Sequence, residues 1–277
     1  MGSRVFAFEV CVFSRLFSRM SASVSSVRSF AGPKGKRLYA IGDVHGRLDL
    51  VDDLLGRIED DIADRPVDTA VVVFLGDLID RGPDSAGVIE RLQSLKHFPA
   101  RMLFLLGNHE EFLLRALAGE TGVAHDWLGF GGDACAESYG IAPSVLQAMD
   151  EQRIAEILQT AIPQTHVAFL KTFGDTFAFG DYLLVHAGIR PGISIEQQQP
   201  RDLRWIRQPF LSDAHDHGCM VIHGHTISDG IDHRTNRIGI DTGAYRTGVL
   251  TAAVIEENDI CFLATGLQPE LVHVDKG

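Results

Sequence analysis

No run of about 18 apolar residues, the length that crosses a bilayer as a helix, occurs in this sequence, so no membrane partner is expected. Cysteine is scarce. The four, Cys11, Cys135, Cys219 and Cys261, include no close pair. That argues against a disulfide framework or a zinc knuckle and for a reduced, cytoplasmic setting, with each thiol a small core hydrophobe. Positive charge is short as well: Lys and Arg number 25 against 37 Asp and Glu, a formal net charge of −12. A general nucleic-acid binder would carry a basic stripe, so none is expected. A phosphate ligand stays open, because a bound metal reverses the sign of charge locally. There is no Gly-x-x-x-x-Gly-Lys, and so no P-loop nucleotide chemistry. The rest is ordinary globular composition, 45% hydrophobic and 22% charged over 277 residues, ample for one large core.

The rest of the chain is organised around Gly76-Asp77-Leu78-Ile79-Asp80-Arg81-Gly82. It follows an apolar run, residues 70–75, that reads as a fully buried strand. Gly76 ends that strand and allows a close approach of backbone. Asp77 then stands at a strand's carboxyl end, where open α/β sheets put their ligands. Acids buried in such a crevice need a cation. Two more segments have the same make of strand, Gly, polar side chain and helix: Ile41-Gly42-Asp43-Val44-His45-Gly46 and Leu106-Gly107-Asn108-His109-Glu110.

Residues 1–36 differ from the rest. They hold four Arg and two Lys against the single Glu9, with many Ser. The composition resembles a transit peptide, but the favoured reading is an unstructured basic extension, with Met20 an alternative start. From 37 to 277 the pattern reads as one domain. Strands are expected at 37–41, 69–75 and 101–106. Helices are expected at 48–64, at 84–95 (capped by Asp84) and at 110–118. Residues 120–172 break the alternation as a helical, Gly-rich insert, irregular over 127–139 and mostly helical over 143–171. Strands return at 176–179, 182–186, 220–223, 237–241, 250–256 and 259–264, close enough in sequence for hairpins and a mixed sheet system. The fold class is therefore mixed α/β.

The polar residues at the strand ends are Asp43, His45, Asp77, Asn108, His186 and His225. Carboxylate, imidazole and amide oxygen together suit divalent Mn, Fe or Zn, and no Cys joins them. A lone strand-end Asp is usually a cap, and a lone His usually a satisfied core or surface residue. Here five separate segments set a metal-type residue beside Gly at the end of an apolar run. Six ligands exceed one open catalytic ion, whereas two ions bridged by Asp77 use them all.

These blocks, with His186-Ala187-Gly188 and His223-Gly224-His225-Thr226, resemble the signature of the calcineurin-like metallophosphoesterases. The likeness is to the phosphoprotein phosphatase branch, which also contains the symmetrical diadenosine tetraphosphate hydrolases. Those usually lack the second acid of the central block, present here as Asp80. The resemblance implies two packed mixed sheets flanked by helices. It implies a first ion on Asp43, His45 and Asp77, and a second on Asp77, Asn108, His186 and His225. It leaves His223 without a ligand role. His109 would be the general acid, oriented by Asp80. Arg81 and a second Arg would grip phosphate along with Asn108; Arg207 is preferred to Arg204 for that place. Tyr245 is a candidate lining residue.

The activity expected is hydrolysis of a phosphomonoester, phosphoserine or phosphothreonine on a protein or peptide. Water held by two divalent ions, Mn foremost, has its pKa lowered from about 15.7 towards about 7 and attacks phosphorus in line. The alternative is a symmetrical dinucleoside polyphosphate hydrolase, with nucleotide-capped RNA a further substrate of that kind. A non-catalytic module that kept the fold would have lost a ligand, and none is lost. A nuclease is disfavoured by the acidic charge.

Overall fold

Both faces of the run at 70–75 are buried, and that sets the architecture. Val72 and Phe74 turn towards helices, while Val71, Val73 and Leu75 turn towards a second sheet. A strand covered on both sides reads as a continuous apolar run rather than an alternating one. In the computed structural model the described residues are 29–266.

The first sheet has the order β10-β9-β1-β2-β3, from β1 (Lys36–Ile41), β2 (Thr69–Phe74), β3 (Arg101–Phe104), β9 (Thr251–Glu256) and β10 (Asp259–Ala264). The second has the order β4-β5-β6-β8-β7, from β4 (Thr176–Phe179), β5 (Tyr182–Val185), β6 (Met220–His223), β7 (Asp232–His233) and β8 (Arg237–Gly239). In the first sheet β1, β2 and β3 are parallel, with Leu38 opposite Val71 and Val72 opposite Met102. β9 and β10 form an antiparallel hairpin on the β1 edge. In the second, β5, β6 and β8 are parallel and the two edges antiparallel. The expected pair of mixed sheets is therefore present.

Three apolar clusters follow. One lies between the sheets, with Leu38, Ala40 and Val73 against Leu184, Ile222 and Ile238. Another lies under the helices of the first sheet, around Tyr39, Phe74, Leu54 and Trp127. A smaller one, around Val185, Leu203 and Phe210, covers the outer face of the second sheet.

The helices of the first sheet are α1 (Leu48–Asp64), α2 (Ser85–Gln93) and α3 (Asn108–Leu117). Helix α1 buries Leu50, Val51, Leu54, Leu55 and Ile58, the period expected of an amphipathic helix. Asp84 caps α2 by accepting from Gly87 N at 2.8 Å, as its position after Pro83 predicts. The strands stop one or two residues short of the expected ends at Leu75, Leu106 and His186.

The insert refines one expectation. Over residues 127–139 short helices flank an irregular point: α4 (Ala124–Trp127), a π turn (Leu128–Gly132) and α5 (Asp133–Ser138) follow one another, and the backbone kinks out of helical geometry at Gly131. Gly131 takes φ +105 inside the π turn, a conformation that suits glycine. The remainder is α6 (Pro143–Gln147), α7 (Glu151–Ala161) and α8 (Gln164–Leu170). Helix α4 packs on α3 and α7, α5 packs on α2, and α8 packs on α2, so the insert lies against the helices of the first sheet. Two short helices complete the chain, α9 (Pro200–Trp205) and α10 (Ala244–Thr247).

Structure begins before the expected boundary at 37. Ala31 N donates to Asp181 Oδ2 at 3.0 Å, Gly32 N donates to Glu257 O at 2.7 Å, and Phe30 rests on Tyr182 with ring centroids 6.4 Å apart. Residues 29–35 thus tie the β9–β10 turn to the second sheet. The rest of the expected extension, 1–28, lies outside the described residues, as does 267–277. No helix among the described residues is long and apolar enough to cross a membrane.

Candidate active site

The carboxyl ends of β1, β2, β3, β5 and β6 converge, and every strand-end ligand expected from sequence lies there, buried. Asp43, His45, Asp77, Asn108, His109, His186 and His225 are all at most 7% exposed. Five of the six non-glycine residues with positive φ among the described residues belong to the site: His45, Asp77, Asp80, Arg81 and His225. Such conformations cost about 1–3 kcal/mol each and persist only where the surroundings over-determine them. Neighbouring glycines make the room. A Cβ on Gly107 would collide with Asp77 Oδ1, and one on Gly224 would collide with Asp43 Oδ1.

Asp77 divides its two oxygens. Oδ2 faces His45 Nε2 at 3.7 Å and His109 Nε2 at 3.9 Å, while Oδ1 faces His186 Nε2 at 3.4 Å. Two groups of potential ligands therefore share it: His45, Asp77 and His109 on one side, Asp77, His186 and His225 on the other. Asn108 joins the second group, with Oδ1 3.0 Å from His186 Nε2 and 2.8 Å from His225 Nδ1. Asp43 sits behind, its oxygens accepting from His225 N at 3.1 Å.

The donor set fits divalent cations. His45 Nδ1 lies 2.8 Å from the Ile79 carbonyl and His186 Nδ1 lies 2.9 Å from the Leu75 carbonyl, so both Nδ1 atoms carry hydrogen. The Nε2 of His186 then turns a lone pair to Asp77, and that of His45 accepts from Arg81 Nη1 at 2.7 Å with Asp77 beyond it at 3.7 Å. A backbone carbonyl that fixes the tautomer in this way is the usual support of a metal-ligating histidine. Lone pairs and carboxylate oxygens converging at 3–4 Å are satisfied by a cation between them. Burial pushes the His45 pKa down to about 3, and burial together with nearby His186 pushes that of His225 down further, so both rings stay neutral; burial would lower His186 as well, but Asp77 and Glu110 raise it. Burial, then Asp241 and Asp77, drives Asp43 well above the usual carboxylate range. His225 Nε2 and Asp241 Oδ2 are buried without a protein partner.

Beside the ligands stands a second group. His109 Nδ1 lies 2.6 Å from Asp80 Oδ2, with both side chains at most 1% exposed. Burial would lower the pKa of His109, but Asp77 and Asp80 together outweigh it and raise it. Arg81 Nη1 lies 2.7 Å from His45 Nε2, and its guanidinium covers the Tyr245 ring at 5.3 Å. Tyr245 in turn meets His45 edge-on, 5.4 Å between centroids. Arg207 is exposed, with Nη2 3.5 Å from the His225 carbonyl. Arg204 is engaged elsewhere, by Asp175 at 2.7 Å and Glu111 at 3.3 Å. His223 is buried against Arg237 and stands apart from both ligand groups.

Three residues were missed. Glu110 Oε2 accepts from Gly107 N and Asp77 N, and Oε1 from Leu78 N, at 2.7–2.9 Å, so this one carboxylate clamps the loop after β2 to the start of α3. Burial and the Asp77 charge push its pKa up to about 7, against the pull of those amides. Its signal was an acid three residues past the helix cap. Asp241, the end of an expected strand, stands beside Asp43 and helps to raise its pKa. Trp127, whose indole reaches Asp80, had no signal in its local sequence.

The profile of the calcineurin-like phosphoesterases matches residues 36–245. A symmetrical bis(5'-nucleosyl)-tetraphosphatase of Methylococcus capsulatus is 32% identical over 165 residues, 59% of this chain; the chain spans about half, 47%, of that relative's length. Serine/threonine-protein phosphatase 1 of Salmonella typhimurium is 30% identical over 234 residues, covering 80% of this chain and 93% of that protein. Among solved structures, one described as a putative diadenosine tetraphosphatase superposes with a TM-score of 0.59 at 21% identity, covering 83% of this chain and 94% of that one, and so shares the fold. A match across most of the chain, on a sheet pair whose strand ends gather metal-type side chains, makes this chain a member of the calcineurin-like phosphoesterase family, and so a metallophosphoesterase.

Proposed function

We propose that the chain hydrolyses phosphomonoesters of serine and threonine on protein. The observation that carries this reading is the buried dyad of His109 Nδ1 and Asp80 Oδ2 at 2.6 Å. An alkoxide leaving from phosphoserine is strongly basic and needs a proton; a nucleotide phosphate leaving from an anhydride needs one far less. A buried acid held by a carboxylate is therefore wasted on an anhydride and useful on an alkyl ester.

In this reading Asp43, His45 and Asp77 would hold one divalent ion, and Asp77, Asn108, His186 and His225 a second, with Mn the first choice. When bound, such ions supply Lewis acidity and a water acidified enough to be a nucleophile at neutral pH. Arg81 and Arg207 neutralise charge that develops on the phosphoryl oxygens, helped by the Asn108 amide. Asp80 fixes the His109 tautomer with hydrogen on Nδ1. His109 Nε2, the ring edge turned to the ligands, delivers the proton to the departing oxygen. Its pKa is raised above the ordinary imidazole value by Asp77 and Asp80, and the acid form is lost as pH climbs through the raised value.

The second reading is a symmetrical dinucleoside polyphosphate hydrolase, favoured by the printed name of the Methylococcus capsulatus relative. Initial rates on a phosphoserine peptide and on diadenosine tetraphosphate, after chelation and with Mn added back, separate the two. Faster turnover of the peptide supports the proposal. A rate on the tetraphosphate that exceeds it by orders of magnitude overturns it.

A further inference from the structure

Trp127 lies outside every motif that announces the site, in the helical insert, and it is completely buried. Its indole Nε1 donates to both carboxylate oxygens of Asp80, at 3.2 Å to Oδ1 and 3.1 Å to Oδ2. A donor shared by both oxygens fixes where the carboxylate head sits, and the contact of His109 with Oδ2 alone fixes its rotation about the Cβ–Cγ bond. The backbone of Asp80 is fixed separately, its N–H donating to Ser85 Oγ at 2.9 Å. Four residues beyond Trp127, the Gly131 carbonyl accepts from Arg81 N at 2.9 Å. A Cβ on Gly131 would come within 2.7 Å of Arg81 Cγ, so the insert lies directly on this loop. Asp80 and Arg81 both have positive φ, 72° and 65°, and the insert contacts both. A loop in that conformation needs such outside support.

We infer that Trp127 is a positioning residue for proton delivery: by orienting Asp80 it aims His109 at the leaving oxygen, which makes the insert part of the catalytic apparatus. This rests on the reading of His109 as the acid. Without the indole N–H, the buried Asp80 carboxylate has one side-chain donor fewer among those that the structure gives it, and it turns to recover a partner. The imidazole follows it. A misplacement of about 1 Å in such a group costs on the order of 10²-fold in rate.

The test replaces Trp127 by Phe, and in a second variant by benzothienylalanine, which keeps the shape of the indole and removes only the donor. Turnover is measured on a phosphoserine peptide and on nitrophenyl phosphate, with bound metal and Tm, alone and together with His109→Asn. The expected result is a loss of roughly 10- to 100-fold on the peptide, the range for partners one step removed from the reacting groups. The loss on nitrophenyl phosphate should be clearly smaller, metal content unchanged, and no further loss seen when His109 is already Asn. Equal losses on both substrates, or losses that add to His109→Asn with metal retained, reduce Trp127 to a packing residue and overturn the inference. The isostere decides the matter if the Phe variant does not fold. Should His109→Asn itself fail to discriminate between the substrates, the acid assignment falls. Should only the Trp127 variants fail to discriminate, this inference alone falls.

Discussion

Asp77 at the end of β2 and Trp127 in the insert are both buried and both serve one site, yet the chain fixes them by different means. Asp77 is fixed by backbone. Its φ is +51, its amide donates to Glu110 at 2.8 Å, and His109 N donates back to its Oδ1 at 3.0 Å. Gly76 and Gly107 leave it the space. Trp127 sits in ordinary helical backbone, φ −57, and is fixed by what surrounds it: α3, α7 and the π turn. The strand-end cradle is thus a set of local backbone solutions repeated at several strand ends. The insert is a packed surface that touches the cradle at Asp80 and Arg81. Damage to the cradle should remove ions, while damage to the insert should leave ions in place and misdirect the groups beside them.

The sharpest attempt to break that contrast is Asp77→Asn. Neutralising the shared carboxylate should abolish binding at both positions, and metal analysis after Mn loading should fall from near two ions per chain to near none, with activity at background. Retention of one ion at full occupancy would show that the two groups of ligands are not bridged.

His109→Asn comes next. General acid catalysis is worth about 10²–10⁴-fold, or roughly 3–5 kcal/mol of barrier. The variant should lose that much kcat on a phosphoserine peptide and much less on nitrophenyl phosphate, with both ions bound. If metal is lost instead, His109 is a ligand in the group with His45 and Asp77, and the cradle is larger than drawn here.

Within the insert, Leu158 of α7 is completely buried. Leu158→Ala should cost about 2–5 kcal/mol of stability in a denaturant titration. The folded protein should still bind its full complement of metal. A drop in metal stoichiometry at temperatures well below Tm would erase the distinction between the two regions.

The smallest effect separates two arginines. Arg207→Ala should raise KM for a phosphopeptide about 10-fold, the loss of one hydrogen bond to a charged group. Arg204→Ala should alter KM little and lower Tm, because its guanidinium is occupied by Asp175 and Glu111. The reverse pattern would move the second phosphate contact to Arg204.

Much of the site was legible in the sequence, because its makers are local. A carboxylate that must follow a buried strand with positive φ demands apolar residues, then Gly, then Asp, in consecutive positions, and the residues from Val71 to Asp77 spell that out. The same reasoning reached Asp43, Asn108, His186 and His225. Asp241, at the end of its expected strand, follows Ile240 rather than a glycine and so lacks the pattern of the other strand ends. The insert was legible as helical except at 127–139. There glycine reads as a breaker, and Gly131 does kink the chain, but the short helices on either side of it were not legible.

The family resemblance implied the packing of two sheets, while the sequence by itself determined the buried strands, their mixed arrangement and the metal-type side chains at the strand ends. Those depend on hydrophobic period and on the backbone needs of single positions, which neighbouring residues express. Only the tertiary structure decided that Trp127 holds Asp80, that Glu110 reaches across to Asp77 and Leu78, and that Arg204 is taken up by Asp175 and Glu111. Each of those joins residues between about 30 and 95 positions apart, or turns on which partner is nearest in space. No local pattern encodes that choice, because it is made when helices pack and polar groups find whatever partner burial leaves them.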